Sequence, residues 1–287
     1  MNVKQSFILL LVMSFLGPRS AKSEDVVPRR LYEIVFEAKV LRGPTVEASP
    51  HYREVLPYCD SDPKVAGIPF ASVRWLFFDR KGGTPFERNR LFPYGITVAS
   101  RMWRTYRTMV FIPEGVTWLE VRSIVGRKGD DVAIRGLVVH EISRGGTLNI
   151  NPDMRWADGC LAGWKLDRDA YPELAEPGRT RMYVEEGWSL CEPFPVEPGM
   201  KFALTMRGAP CVYDRFQNRV GCSVYFADSY LALNDLNKKA TKAKTRLLVF
   251  DDEGTKTETY EVPGGMKWAT LCPSYGTVDY LGAKEVR

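Results

Sequence analysis

Along residues 31–40 apolar and polar side chains alternate: Tyr32, Ile34, Phe36, Ala38 and Val40 fall on one side, Glu33, Glu37 and Lys39 on the other. A period of two belongs to a strand with one buried face. Alternation or a short apolar run recurs at residues 73–78, 106–112, 118–125 and 132–142, then at 202–206, 223–227, 246–250, 259–262, 267–272 and 277–286. Turn formers separate the runs, among them Pro113-Glu114-Gly115, Asp252-Glu253-Gly254 and Pro263-Gly264-Gly265. Only residues 230–243 read as a short helix or a basic loop, with the lysines as a solvated face. The pattern predicts an all-β chain.

The halves repeat one another. Pro113-Glu114-Gly115-Val116-Thr117-Trp118 matches Pro263-Gly264-Gly265-Met266-Lys267-Trp268 at an offset of 150 residues. Upstream, Trp75-Leu76-Phe77-Phe78-Asp79 parallels Val224-Tyr225-Phe226-Ala227-Asp228, and Pro28 precedes Tyr32 by four residues as Pro198 precedes Phe202. Matches in one shared order point to duplicated units meeting near Ser143-Arg144-Gly145-Gly146. The expected units are therefore residues 24–145 and 146–287. They are unequal. Residues 149–197 precede Pro198 in the second unit, whereas the first has only residues 24–27 before Pro28 and carries long insertions at 41–72 and 81–102.

Composition agrees with this picture. The chain has 287 residues, 45% hydrophobic and 26% charged, which suits one large or two ordinary folded domains. Aromatics at 12%, with 24 Gly and 19 Pro, favour many short strands joined by turns. Residues 1–23 read as a secretory signal peptide: Lys4, an apolar run from Phe7 to Leu16, the breaker Gly17-Pro18, and small residues around Ala21-Lys22-Ser23. Cleavage is expected after Ser23, giving a secreted or periplasmic protein with no membrane span. Removing those residues takes away Lys4, Arg19 and Lys22 and no acid, which leaves 37 basic and 35 acidic residues. A chain so near neutrality gives no electrostatic case for nucleic acid.

An oxidising destination favours disulfides among Cys59, Cys160, Cys191, Cys211, Cys222 and Cys272. Six cysteines allow 15 connectivities. Cys211 and Cys222 flank a turn-rich loop and are the expected pair. Zinc is disfavoured, because no CxxC occurs and the histidines are only His51 and His140.

Several short motifs resemble the jelly-roll carbohydrate-binding modules of the galactose-binding-domain type, which are appended to secreted bacterial polysaccharide-degrading enzymes. Unit two carries Gly163-Trp164 and Pro198-Gly199-Met200-Lys201-Phe202; unit one carries Trp103-Arg104-Thr105-Tyr106, Phe111-Ile112-Pro113 and Gly129-Asp130-Asp131-Val132-Ala133-Ile134. Unit one has no Gly-Trp, and unit two has no Trp-x-x-aromatic before Pro263. The resemblance implies two tandem β-sandwiches of the jelly-roll type, the first atypical at its N-terminus. It implies a polysaccharide or glycan as partner, a secreted enzyme travelling with the chain, and no cofactor beyond a structural Ca2+, to which Asp130 and Asp131 would contribute.

A sugar ring offers a flat C–H face and an edge of hydroxyls, which a rigid aromatic platform with polar neighbours can meet. Trp118, Trp164, Trp268 and Trp103 read as core or structural residues, and Trp75 is open to either sheet surface. Trp156 and Trp188 differ, since each stands among polar or turn residues. With Tyr183 they form the expected platform, and Asp153, Arg155 and Glu185 are the expected hydroxyl partners. The adjacent acids Asp130-Asp131, Glu185-Glu186 and Asp251-Asp252 read as solvated charges, because neighbours on a strand point to opposite faces. No nucleophile elbow, metalloprotease, P-loop or dinucleotide motif occurs. The expectation is a non-catalytic glycan-binding protein. An adhesive module with a protein partner stands second, and a jelly-roll polysaccharide lyase or hydrolase third.

Overall fold

The computed structural model describes residues 20–45, 71–83, 95–124, 129–154, 162–165, 170–176, 179–184, 190–210, 220–234, 244–250, 253–274 and 276–286. The first half forms β1 (Ser20–Asp25), β2 (Leu31–Arg42), β3 (Ala71–Phe78), β4 (Gly95–Val98), β5 (Arg104–Phe111), β6 (Trp118–Ile124) and β7 (Asp131–Ile142). They pair antiparallel in two sheets, ordered β1-β6-β3-β4 and β5-β2-β7. The alternation at 31–40 does what a period of two dictates. Tyr32, Ile34, Phe36, Ala38 and Val40 are buried against Val73, Trp75, Ile96, Leu119 and Val121 of the facing sheet.

The second half forms β8 (Trp164–Lys165), β9 (Ala170–Glu176), β10 (Arg179–Val184), β11 (Leu190–Cys191), β12 (Phe194–Pro195), β13 (Lys201–Ala209) and β14 (Val220–Ala227). A short helix α1 (Tyr230–Asn234) follows, then β15 (Lys244–Phe250), β16 (Gly254–Glu261), β17 (Trp268–Ser274) and β18 (Gly276–Glu285). A five-stranded sheet, β16-β13-β18-β10-β9, faces a four-stranded one, β12-β17-β14-β15, and β11 pairs with β8. Phe202, Leu204 and Met206 from one sheet meet Val224, Phe226 and Leu271 from the other in a single core. The chain is thus nearly all β, in two tandem sandwiches.

The repeat holds down to single hydrogen bonds. In the two Pro-x-Gly turns, Gly115 and Gly265 have φ of 81° and 80°. Val116 N donates to Pro113 O at 3.3 Å and Met266 N to Pro263 O at 3.1 Å. Thr117 N then donates to Phe78 O, as Lys267 N does to Ala227 O. Upstream, Val26 N bonds Thr117 O and Val196 N bonds Lys267 O, both at 2.9 Å. Position 29 corresponds to position 199, yet the first is Arg29 at φ 65° and the second Gly199 at φ 79°. By the same equivalence, β1 stands beside β6 where β12 stands beside β17.

Three expectations need correction or completion. Alternation puts Cys222 inside the second core, where it is a free buried thiol, so the expected Cys211–Cys222 bridge is not formed; Cys211 lies outside the described residues. Ser20–Ser23, read as the end of a leader, pair in β1 with Arg122, Val121 and Glu120, and residues 1–19 lie outside the described residues. Of residues 230–243, expected as a short helix or a basic loop, Tyr230–Asn234 form a helix and 235–243 lie outside the described residues. No helix among the described residues is long and apolar enough to cross a membrane.

The sandwiches share buried contacts. Leu31 and Phe111 belong to the second core although they lie on β2 and β5. The Arg144 guanidinium stands 5.0 Å from the centre of the Phe111 ring. Trp268 Nε1 donates to Glu114 Oε2 at 2.7 Å, and Arg29 Nη2 donates to Val196 O at 3.1 Å and to Glu197 Oε1 at 2.7 Å. A buried Phe or Leu side chain stabilises by about 1.5–3 kcal/mol, so this contact outweighs the exposed ion pairs around it.

Candidate functional site

The sequence offers Asp153 and Tyr183 as site residues thirty positions apart, and β18 brings their main chains to one edge. Tyr183 pairs with Thr277 through β10. Beyond that pairing the edge of β18 is taken over by residues 148–152: Leu148 N donates to Ala283 O at 2.7 Å, and Leu281 N donates to Pro152 O at 2.8 Å. The buried Asn149 side chain completes the row, donating to Leu281 O and accepting from Ala283 N, each at 2.9 Å. Trp164 Nε1 donates to Asn151 O at 2.9 Å, which fixes the turn before Asp153. Gly163 is required there, because a Cβ at φ 73° would stand 2.5 Å from Ile150 Cβ.

Tyr280 lies between these segments. Its ring folds along the strand over Gly282, whose missing Cβ would stand 2.4 Å from the Tyr280 hydroxyl and 2.6 Å from Cζ. Glycine at 282 therefore lets the phenol lie against main chain, with the half-buried ring at the outer face of the five-stranded sheet. Register sets Arg207 opposite Tyr280. Arg207 Nε is 4.0 Å from Asp279 Oδ2. Burial raises the Tyr280 phenol, Asp153 raises it further, and Arg207 acts in the opposite sense. A ring, a guanidinium and a carboxylate thus share one patch, beside the Thr205–Thr257 hydroxyl pair at 2.9 Å.

Of the expected platform, Asp153 is placed in this patch and Tyr183 is described by its main chain alone. Trp156, Arg155, Glu185 and Trp188 lie outside the described residues. Sequence reading missed Tyr280 and Arg207. The signal was present, since Tyr280-Leu281-Gly282 is an aromatic two positions from a glycine in a strand, the spacing at which a ring covers bare backbone.

The other tryptophans divide cleanly. Trp75, Trp118, Trp164 and Trp268 are at most 7% exposed. Trp103, expected to be structural, is half-buried beside the outer face of the β5-β2-β7 sheet, outside the first core. Its ring is occupied: Lys39 Nζ lies 5.0 Å and Arg135 Cζ 4.1 Å from the ring centroid. Arg135 is pinned in turn by Glu37 Oε2 at 2.6 Å, and that bond holds the Glu37 carboxyl below its usual range.

The strongest carboxyl perturbation lies away from both faces. Burial raises Glu192 to about 8; Tyr230 donates to it at 2.8 Å, and the Phe111 main chain bonds it from the first sandwich. Glu192 and Tyr230 are 5% and 4% exposed, so neither is placed to meet a ligand. Burial likewise pushes the Cys191 thiol to about 12. Among the described residues no three His, Cys, Asp or Glu side chains converge as metal ligands, and Asp130 and Asp131 stand without a third.

No protein-family model matches the chain, and no curated protein does. Among solved structures it is similar to the N-terminal tandem CBM22-1–CBM22-2 domain of Xyn10C from Paenibacillus barcinonensis, at 9% identity over 94% of this chain and 85% of that one, with a TM-score of 0.32. It is similar to the tandem CBM51 modules of Sp3GH98, a family 98 glycoside hydrolase from Streptococcus pneumoniae SP3-BS71, at 10% identity over 91% and 80%, with a TM-score of 0.23. An archaeal virus structure with a triple jelly roll fold matches at 12% identity over 92% and 51%, with a TM-score of 0.30. Likeness at this level carries no functional argument, and the sandwich architecture rests on the sheets themselves.

Proposed function

We propose that the chain is an exported, non-catalytic carbohydrate-binding protein that meets a polysaccharide through the outer face of its second sandwich. The observation that supports this reading is the Tyr280 ring laid over Gly282 with Arg207 and Asp153 beside it. The ring meets the C–H face of a sugar, while the guanidinium and carboxylate bond its hydroxyls. The rigidity of a ring held against a strand keeps the entropy lost on binding small. Trp156, Trp188, Tyr183, Arg155 and Glu185, the platform and hydroxyl partners expected from the sequence, are retained in this proposal as residues to test.

Affinity electrophoresis in gels containing soluble polysaccharides tests it, with reducing-sugar release followed in parallel. The intact protein is expected to be retarded by at least one neutral polysaccharide without releasing sugar. Tyr280→Ala is expected to weaken that retention about tenfold, the effect of losing roughly 1.4 kcal/mol of stacking. Retention unchanged in Tyr280→Ala, Trp156→Ala and Trp188→Ala alike overturns the proposed face, and sugar release overturns the non-catalytic reading.

A further inference from the structure

We propose a second site, on the first sandwich, at which Lys39 and Arg135, gathered by Trp103, bind the anionic group of an acidic polysaccharide. It goes beyond the neutral-sugar face of the second sandwich and does not depend on it. Three observations carry it. Two cations converge on one indole, at 5.0 and 4.1 Å from its centre, although like charges brought together repel. One carboxylate, Glu37, neutralises Arg135, while Lys39 has no carboxylate partner among the described residues. Arg101 adds a third positive charge at the same end of the sheet, and it is held by main-chain carbonyls: Nη1 donates to Leu41 O at 2.7 Å and Nη2 to Gly43 O at 3.0 Å.

If Trp103 merely covered the end of the sheet, Arg135 with its Glu37 partner would suffice. The second cation over the same ring, and a third held by main-chain carbonyls, gather positive charge at an exposed surface, and Asp130 beside Gly43 and Asp131 opposite Arg42 offset part of it. Asp130 approaches Gly43, but no ion pair joins it to Arg101 among the described residues. Beside the cations stand Met102, 64% exposed, and Leu41, 44% exposed, which offer apolar contact to a sugar ring. Cations held in place with apolar side chains alongside match a sugar that bears a carboxylate or a sulfate.

The test uses the full chain in affinity gels containing polygalacturonate, dextran sulfate or unmodified dextran, at low salt and at about 0.3 M salt, where surface attraction is screened. Retention by either anionic polymer, weakened by salt and absent with dextran, is expected, and the polymer that retards identifies the group as carboxylate or sulfate. Lys39→Gln is expected to lower affinity about tenfold, the order of a lost charged contact. Lys39 has no acid to orphan, so this variant loses only its contact with the Trp103 ring and is expected to stay folded, its melting temperature within a few degrees of the parent. Tyr280→Ala is expected to leave retention on the anionic polymer unchanged, which separates this site from the other face. Equal retention on dextran and the anionic polymers, retention by none of them, or an unaltered Lys39→Gln overturns the proposal.

Discussion

Arg29 adopts a φ of 65° where its counterpart in the second sandwich is Gly199 at φ 79°. A residue with a Cβ strains its backbone there by about 1–2 kcal/mol, which glycine avoids. What arginine offers instead is its side chain, which reaches Val196 O and Glu197 across the junction. Comparing Arg29→Gly with Arg29→Ala separates the two effects, because both lose the side chain and only one keeps the strain. The alanine variant is expected to be less stable than the glycine variant by about 1 kcal/mol in urea titration. Equal midpoints would show that the φ carries no penalty. At this scale the sequence was partly legible. Alternation announced Ile34, Phe36 and Phe202 as buried, and size with context announced Trp118, Trp164 and Trp268. Trp103 was not readable, because its surroundings are cations drawn from Lys39 and Arg135, far apart in the chain.

The elements repeat with small geometric error, and the Pro-x-Gly turns before β6 and β17 are the sharpest instance. Gly115 and Gly265 share a positive φ within a degree and the same turn bond. Gly115→Ala and Gly265→Ala are each expected to cost about 1 kcal/mol, and to agree within about 0.5 kcal/mol if the turns are energetic as well as geometric copies. Chemical denaturation of the two variants checks it, and a difference beyond about 1 kcal/mol would mean the surroundings differ where the backbones do not. Strands that build a face on alternation were visible in the sequence, as in β2, β3, β13 and β14. Strands that exist because a neighbour offers an edge were not. Ser20–Asp25 has no apolar alternation and is a strand because β6 presents it the edge that β17 presents to Phe194–Pro195. Residues 179–184 likewise lean on β18, and residues 170–176 on 179–184, rather than on their own pattern.

For the whole molecule, the junction sets the response to pH. Glu192 is raised from 4.5 to about 8 by burial, so the folded protein holds a proton that the unfolded chain gives up above about pH 4.5. Stability from this group is complete below about pH 4.5 and is lost as pH rises to about 8, by at most about 1.4 kcal/mol per pH unit. Glu37 and Glu258 are shifted down and act in the opposite sense, losing stability on acidification, but both stand at solvent and weigh little. Thermal melts between pH 5 and about 8 are therefore expected to fall for the parent chain and to flatten for Glu192→Gln, which keeps an acceptor for Tyr230 without an ionisable proton. A parent profile as flat as that of the variant would show that Glu192 ionises without strain.

Phe111 belongs to the first sandwich by chain and to the second by packing. The connector at residues 143–147 therefore carries little of the work of keeping the halves together. A protease nick within it would leave two fragments travelling as a single species until denatured. For the same reason neither half, expressed alone, is a faithful stand-in: one would be missing a plug, and the other would carry an oily ring with nowhere to go.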